Sequence, residues 1–265
     1  MASKAARQPA SHLEAYVLHR YDWSESSLIL DLFTRERGRV AVAAKGAKRP
    51  YSQLRPVLLP FQRIQVTLGR TPADDQGEVH NLRQAEWAGG GPMLSGGALF
   101  SGFYLNELLM KLLARHDPHP ALFDAYRATL PALASGHEAL AQAALRSFEL
   151  LLLREIGLLP DLATVTLTQR EVEPAARYQL VPESGVVATR EESLSLGGEL
   201  LCAIQMALDE GDTASLQTAC APAGAALRVG LRALLHYHLG SPTLRTRQVM
   251  QSVQRLIDST PTPAR

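Results

Sequence analysis

Cysteine is nearly absent: Cys202 and Cys220 are the only two in 265 residues. That is too few for a disulfide scaffold. Long apolar runs are missing as well, since a bilayer-spanning helix needs about 18 or more such residues. Leu150 to Leu153, the strongest leucine run, stops at Arg154 and Glu155. No apolar segment follows Lys4, Arg7 and Pro9, so no secretory leader is expected, and the chain reads as cytoplasmic. Catalytic signatures are also lacking. There is no Gly-x-Ser-x-Gly, no phosphate-binding P-loop and no His-Glu-x-x-His. Gly89-Gly90-Gly91 with Gly96-Gly97 has a phosphate loop's composition but no Lys after the last Gly, so it reads as a linker. His116-x-x-His119 and His236-x-His238 are two-histidine pairs, too little for a zinc site alone. Glu149 and Glu155 fall at helix-surface spacing and read as solvated. Neither an enzyme nor a metal or other cofactor is expected.

What the chain does have is charge, hidden by its average. The net charge is +1, yet residues 1–70 hold 12 Lys/Arg against 5 Asp/Glu. Residues 71–160 hold 6 against 10, and residues 161–265 hold 9 against 11. Such asymmetry marks a polyanion-binding module joined to something else. The excess is densest in residues 35–50, which contain six Lys/Arg and one acid, Glu36.

Period-2 hydrophobicity over residues 13–19, 27–34, 40–44, 61–68 and 78–87 predicts five short strands. Turn residues separate them at Glu36-Arg37-Gly38, at Lys45-Gly46 and across residues 71–77. Five strands in so short a span suit a small closed barrel, which hides its own edges. An open five-stranded sheet packed on later helices is the alternative. Beyond Gly89-Gly90-Gly91-Pro92 the apolar period becomes helical, over residues 93–114, 120–134 and 138–157. Residues 161–191 are irregular or weakly β, with hairpin strands expected around Glu183-Ser184-Gly185. Helices return over residues 193–209, 222–239 and 243–257, before a Pro-containing tail at 260–265 that is expected to be disordered. The fold class is therefore α+β. It comprises a five-stranded barrel domain (1–88), a helical domain in two parts (93–160 and 192–259) and an insertion between them (161–191).

The basic run supplies the binding candidates. Arg35, Arg37 and Arg39 alternate with Glu36, Gly38 and Val40, so in extended chain they point one way. Lys45, Lys48, Arg49 and Arg55 follow in the next loop. Guanidinium forks suit phosphate oxygens, and each phosphate contact releases counterions. Small barrels bind single strands by pairing a basic groove with aromatic platforms. The candidate platforms are Tyr21, Trp23, Tyr51 and Phe61, with barrel core the favoured role for Phe61. A second region, residues 213–257, contains no Asp or Glu but holds Arg228, Arg232, Arg245, Arg247 and Arg255. It can extend a polyanion track or receive an acidic peptide.

Specific residues resemble a known family. Tyr16-Val17-Leu18-His19, the stretch Trp23-Ser24-Glu25-Ser26-Ser27, Gly38-Arg39-Val40 and Lys45-Gly46-Ala47 are similar to the bacterial recombination mediators of the RecO family. So are Tyr104-Leu105-Asn106-Glu107-Leu108-Leu109, Arg146-x-Phe148-Glu149-Leu150, Gly157-Leu158-Leu159-Pro160 and Leu244-Arg245-Thr246-Arg247. The resemblance implies an N-terminal OB-fold followed by a helical domain. It implies a nucleoid-associated protein that binds single- and double-stranded DNA and anneals complementary strands. Acting with RecR, such a protein helps load RecA onto strands coated by single-stranded-DNA-binding protein (SSB). It implies no enzymatic turnover. Many members carry four zinc-binding cysteines after the Gly157 element, where this chain has Ala163-Thr164-Val165-Thr166. The 161–191 segment is therefore expected to hold together by pairing and packing. In this family context the SSB tail is acidic and apolar-ended. The expected receptor is Arg146, set against Phe148 and Leu152 on an apolar helix. Two rival readings are a protein-docking adaptor with secondary DNA contact, and an RNA-binding OB-fold protein.

Overall fold

The computed structural model describes residues 12–69, 79–240 and 244–259. The turn expected at 71–77, the Ser241-Pro242 break and the tail at 260–265 lie outside the described residues, as do Lys4, Arg7 and Pro9. The chain forms two compact units, one running to Pro92 and taking in Ala114–Pro120, the other comprising Met93–Leu113 and Ala121–Arg265.

In the first unit, β1 (His12–Asp22), β2 (Leu28–Thr34), β3 (Gly38–Ala44), β4 (Arg63–Leu68) and β5 (Val79–Trp87) close into a barrel. The order is β1-β2-β3-β5-β4, with β3 and β5 parallel and the other pairs antiparallel. This is the OB-fold rather than the open sheet. Period-2 side chains fill it: Leu13, Ala15 and Val17 from β1, Leu30 and Leu32 from β2, Val40, Val42 and Ala44 from β3, Ile64 and Val66 from β4. Each buried Val, Leu or Ile contributes about 1.5–3 kcal/mol. The one-turn helix α1 (Leu54–Val57) packs Leu54 and Val57 against this core beside Leu58 and Ala47. Phe61 is buried and takes a positive φ of 65°, so it is not a surface platform.

The second unit contains α2 (Gly96–Leu112), α3 (Pro120–Ala134) and α4 (Glu138–Glu155). It continues through an insertion to α5 (Gly198–Glu210), α6 (Thr213–Cys220), α7 (Gly224–Leu239) and α8 (Arg245–Ser259). α4 is its core helix, with Ala143 through Leu150 buried without a break. A helix buried all round has no solvated face, which corrects the reading of Glu149 as a surface carboxylate: it is 1% exposed. α6 was not expected from apolar spacing. Its start is set by Asp212, whose carboxylate accepts the N–H groups of Ala214 and Ser215 at 3.3 and 2.9 Å.

The insertion holds β6 (Thr164–Val165) paired with β7 (Arg170–Glu171), and a β10-β8-β9 sheet from Leu196–Gly197, Arg177–Val181 and Gly185–Thr189. Thr166 joins the two: its N–H donates to Val186 O at 3.1 Å, and its Oγ1 accepts the Val186 N–H at 2.9 Å. Leu180 and Val186 are buried, and Gly230 lets α7 close on Leu180, where an added Cβ would lie 2.9 Å from the Leu180 Cβ. Strand pairing and packing thus occupy the position where the resemblance places cysteines.

Candidate nucleic-acid interface

The two halves of the basic run lie at opposite ends of one strand. β3 is 7 residues long, and at about 3.3 Å per residue its ends are roughly 20 Å apart. At one end, Thr34 shapes the turn by accepting the Arg37 N–H at 3.1 Å and donating to Gly38 O at 2.9 Å. Gly38 has φ +64°, and a Cβ there would fall 1.8 Å from the Asp117 carbonyl oxygen. The segment Ala114–Pro120 therefore lies directly on this turn, where the His116 N–H donates to Arg39 O at 2.9 Å.

Arg39 does not point outward beside Arg35 and Arg37. It is buried and forms a two-bond fork with Asp31, Nε to Oδ1 at 3.2 Å and Nη2 to Oδ2 at 2.8 Å. Arg115 Nη2 adds a second cation at 3.9 Å from Oδ2. Arg39, one of the candidates for nucleic-acid contact, thus has its charge answered by Asp31 inside the fold. Arg35 is half-buried and Arg37 exposed, both at this covered end. Nearby, burial, His116 and Arg37 lower the His80 pKa, in that order, and the two imidazoles meet edge to face at 5.5 Å.

At the other end the remaining candidates converge. The β1–β2 turn and the loop after β3 are stitched by the Lys48 N–H to Ser26 O at 3.0 Å and the Gly46 N–H to Ser27 Oγ at 3.4 Å. Lys48 Nζ donates to Ser24 O at 3.0 Å and pairs with Asp22 at 3.1 Å. Lys45, Arg49 and Arg55 are exposed around them. Three aromatics stand out at the same end: Tyr51 is 95% exposed, Trp23 59% and Tyr21 45%. His19 packs edge-on to Tyr21 with ring centroids 4.4 Å apart. Arg20, Lys48 and Arg55 line a cavity of about 400 Å³ floored by Leu28 and Leu58. Arg20 escaped the sequence reading because it lies inside a strand. Its signal was the alternation of Arg20 with Tyr21 and Asp22 beside a turn.

The second unit carries its own pocket, of about 430 Å³. Arg146 of α4, Arg228, Arg232 and His236 of α7 and Arg247 at the start of α8 line it, interleaved with apolar groups such as Phe100, Leu235 and Met250. Such mixed lining and size suit a ligand with an apolar end and negative charge. Phe148 and Leu152 are fully buried core residues, so of the expected trio only Arg146 reaches this pocket. Arg245 instead starts α8, its N–H and that of Thr246 donating to the Glu107 carboxylate at 2.8 and 2.9 Å. Burial pushes the Glu107 carboxyl up, but the hydrogen bonds from Thr246, Arg245 and Lys111 outweigh it and leave the pKa lowered. At the pocket floor, Glu149 Oε1 accepts from Tyr104 Oη at 2.7 Å and Arg146 Nη2 at 2.9 Å. Burial raises the Glu149 carboxyl despite Arg146 and Tyr104, and drives the buried Cys220 thiol up to about 12.

Two family models match in succession: Recombination protein O N terminal over residues 10–90 and Recombination protein O C terminal over residues 93–248. The chain belongs to the RecO family. A protein named DNA repair protein RecO from Verminephrobacter eiseniae is 53% identical over 256 residues, covering 95% of this chain and all of that protein. One of the same name from Acidovorax ebreus is 54% identical over 265 residues, again 95% of this chain and all of its counterpart. The RecO elements noted in the sequence fall on both sites. Lys45-Gly46-Ala47 opens the aromatic and basic end of the barrel, while Tyr104 and the Arg146/Glu149 pair form the floor of the helical pocket. Among the described residues of this RecO-family chain, no helix is long and apolar enough to cross a membrane. No three His, Cys, Asp or Glu side chains among them are grouped to hold a metal ion.

Proposed function

We propose that this RecO-family DNA repair protein works without enzymatic turnover, in the cytoplasm at the nucleoid. It binds single- and double-stranded DNA, anneals complementary strands and acts with RecR to help load RecA onto SSB-coated single strands. The observation that carries the reading is the convergence of Lys45, Lys48, Arg49 and Arg55 with exposed Tyr21, Trp23 and Tyr51 at one end of the barrel. Cations hold the phosphates, and aromatic faces stack unpaired bases. Single strands are the ligand that uses both features. Arg228, Arg232 and Arg247 serve the helical pocket in this reading, which takes the acidic, apolar-ended tail of SSB rather than extending the DNA path. The same protein then grips the coated strand and the coat.

The test is annealing of complementary strands precoated with SSB. Acceleration over the uncatalysed rate supports the reading, and no acceleration at any protein concentration rejects it. Stacking is tested separately with Trp23→Ala. Loss of one stacked base is expected to cost about 1–3 kcal/mol of single-strand affinity. The salt slope should stay as in the wild type, because no charge is removed. Fluorescence anisotropy of a labelled oligothymidylate across a salt titration gives both numbers. An unchanged affinity removes Trp23 from the site.

A further inference from the structure

We propose that Tyr104 is a positioning residue that keeps Arg146 available to an anionic ligand by holding its partner Glu149 half-engaged. This rests on the reading of the helical pocket as a receptor for an acidic peptide.

The geometry is unusual for a buried Arg–carboxylate pair. Such pairs are strongest as side-on forks, with Nε and one Nη each donating to a separate carboxylate oxygen. Arg39 and Asp31 in the barrel form that fork. Arg146 and Glu149 form only one leg of it, Nη2 to Oε1 at 2.9 Å. The two atoms that would make the other leg, Arg146 Nε and Glu149 Oε2, are both buried and without a hydrogen-bond partner. Unmatched buried polar atoms are costly and call for an explanation. Tyr104 supplies it. Its hydroxyl donates at 2.7 Å to the same Oε1 that accepts Arg146, so one oxygen carries both donors and the other none. The hydroxyl pins the carboxylate in an orientation that leaves Oε2 away from Nε.

The guanidinium is thereby anchored but not used up. Arg146 lies between the main pocket and a neighbouring cavity of about 300 Å³, which Gln142 and Arg228 also line. An incoming carboxylate has to break at most one bond to Glu149. Without the tyrosine hydroxyl, Glu149 turns, closes the second leg and competes with the ligand for Arg146.

This predicts a sign pattern that plain loss of packing does not produce. In Tyr104→Phe, an Asp-rich peptide ending in Phe should bind about tenfold more weakly, because a two-bond fork must open first. The melting temperature should not fall, since the closed fork replaces the lost hydrogen bond. In Tyr104→Phe with Glu149→Gln, no carboxylate remains to close the fork, so binding should recover relative to Tyr104→Phe. Peptide affinity by anisotropy and melting by calorimetry, both on the full chain, decide the matter. Unchanged affinity in Tyr104→Phe overturns the proposal. So does a melting loss that parallels the affinity loss, or a double variant weaker than the single. Arg232→Glu separates this from the pocket reading. If Arg232→Glu leaves peptide binding intact, or the wild type binds no peptide, the receptor reading fails and this inference with it. If Arg232→Glu abolishes binding while Tyr104→Phe changes nothing, only the positioning role fails.

Discussion

Reversing the charges of Lys45, Arg49 and Arg55 together to Glu is expected to weaken single-strand binding by roughly a hundredfold or more at moderate salt. The log–log dependence of affinity on salt should lose about 2 units of slope, near 0.7 for each phosphate contact removed. These three side chains are exposed, whereas Lys48 also ties the β1–β2 turn through Ser24 and Asp22. The reversal therefore tests contact rather than folding. The paired control is reversal of Arg35 and Arg37 at the opposite end of β3, where the Gly38 turn is covered by Ala114–Pro120. It should leave affinity and slope close to the wild-type values. Equal losses from both variants would mean that the field of the whole barrel, not one end of it, binds the strand. An unaffected triple variant would take the aromatic end out of contention altogether.

That contrast marks where the sequence stopped being readable. Alternation at Leu13, Ala15, Val17 and at Val40, Val42, Ala44 announced strands with one face inward, and the barrel core follows it. The glycine turns were equally plain. The hairpin register adds what single-strand alternation does not carry: Thr34 pairs with Gly38 and Phe33 with Arg39, so Asp31 lies diagonally across from Arg39 on one face. An acid and a base so placed answer each other, and period-2 counting along β3 alone cannot show it. No local pattern could have announced Ala114–Pro120, because its place beside Gly38 is a tertiary event between residues about eighty apart in sequence. The same holds for the pocket. The absence of acids from 213 to 257 flagged Arg228, Arg232 and Arg247, but only packing of α2, α4, α7 and α8 brings Arg146 to them. Apolar spacing placed Phe148 and Leu152 on a helix face without saying that the face is core.

The largest stability change is expected from Asp31→Asn. Asp31 is buried and answers Arg39 through two hydrogen bonds and Arg115 across 3.9 Å. Breaking a buried pair by removing one partner leaves the other charge unanswered in a poorly polarisable site, at a cost of about 3–5 kcal/mol. Trp23 and Trp87, the only two tryptophans, both belong to the barrel unit, so their fluorescence follows its unfolding. Asp31→Asn should move the tryptophan-detected urea midpoint down by roughly 2 M, taking a denaturant dependence of about 1–3 kcal/mol per M. A shift equivalent to less than about 1 kcal/mol, the usual worth of an exposed pair, would return Arg39 to the surface and to the list of DNA contacts. The compensating variant is more telling. Asp31→Leu with Arg39→Met removes both charges at similar volume, and well-packed apolar replacements of buried pairs are commonly neutral or better. It should recover most of the lost stability. With the Arg39 charge answered by Asp31 inside the barrel, that double variant is also expected to bind single-stranded DNA with wild-type affinity and salt slope. A refolded double variant with a slope lower by about 0.7 would assign Arg39 one phosphate after all.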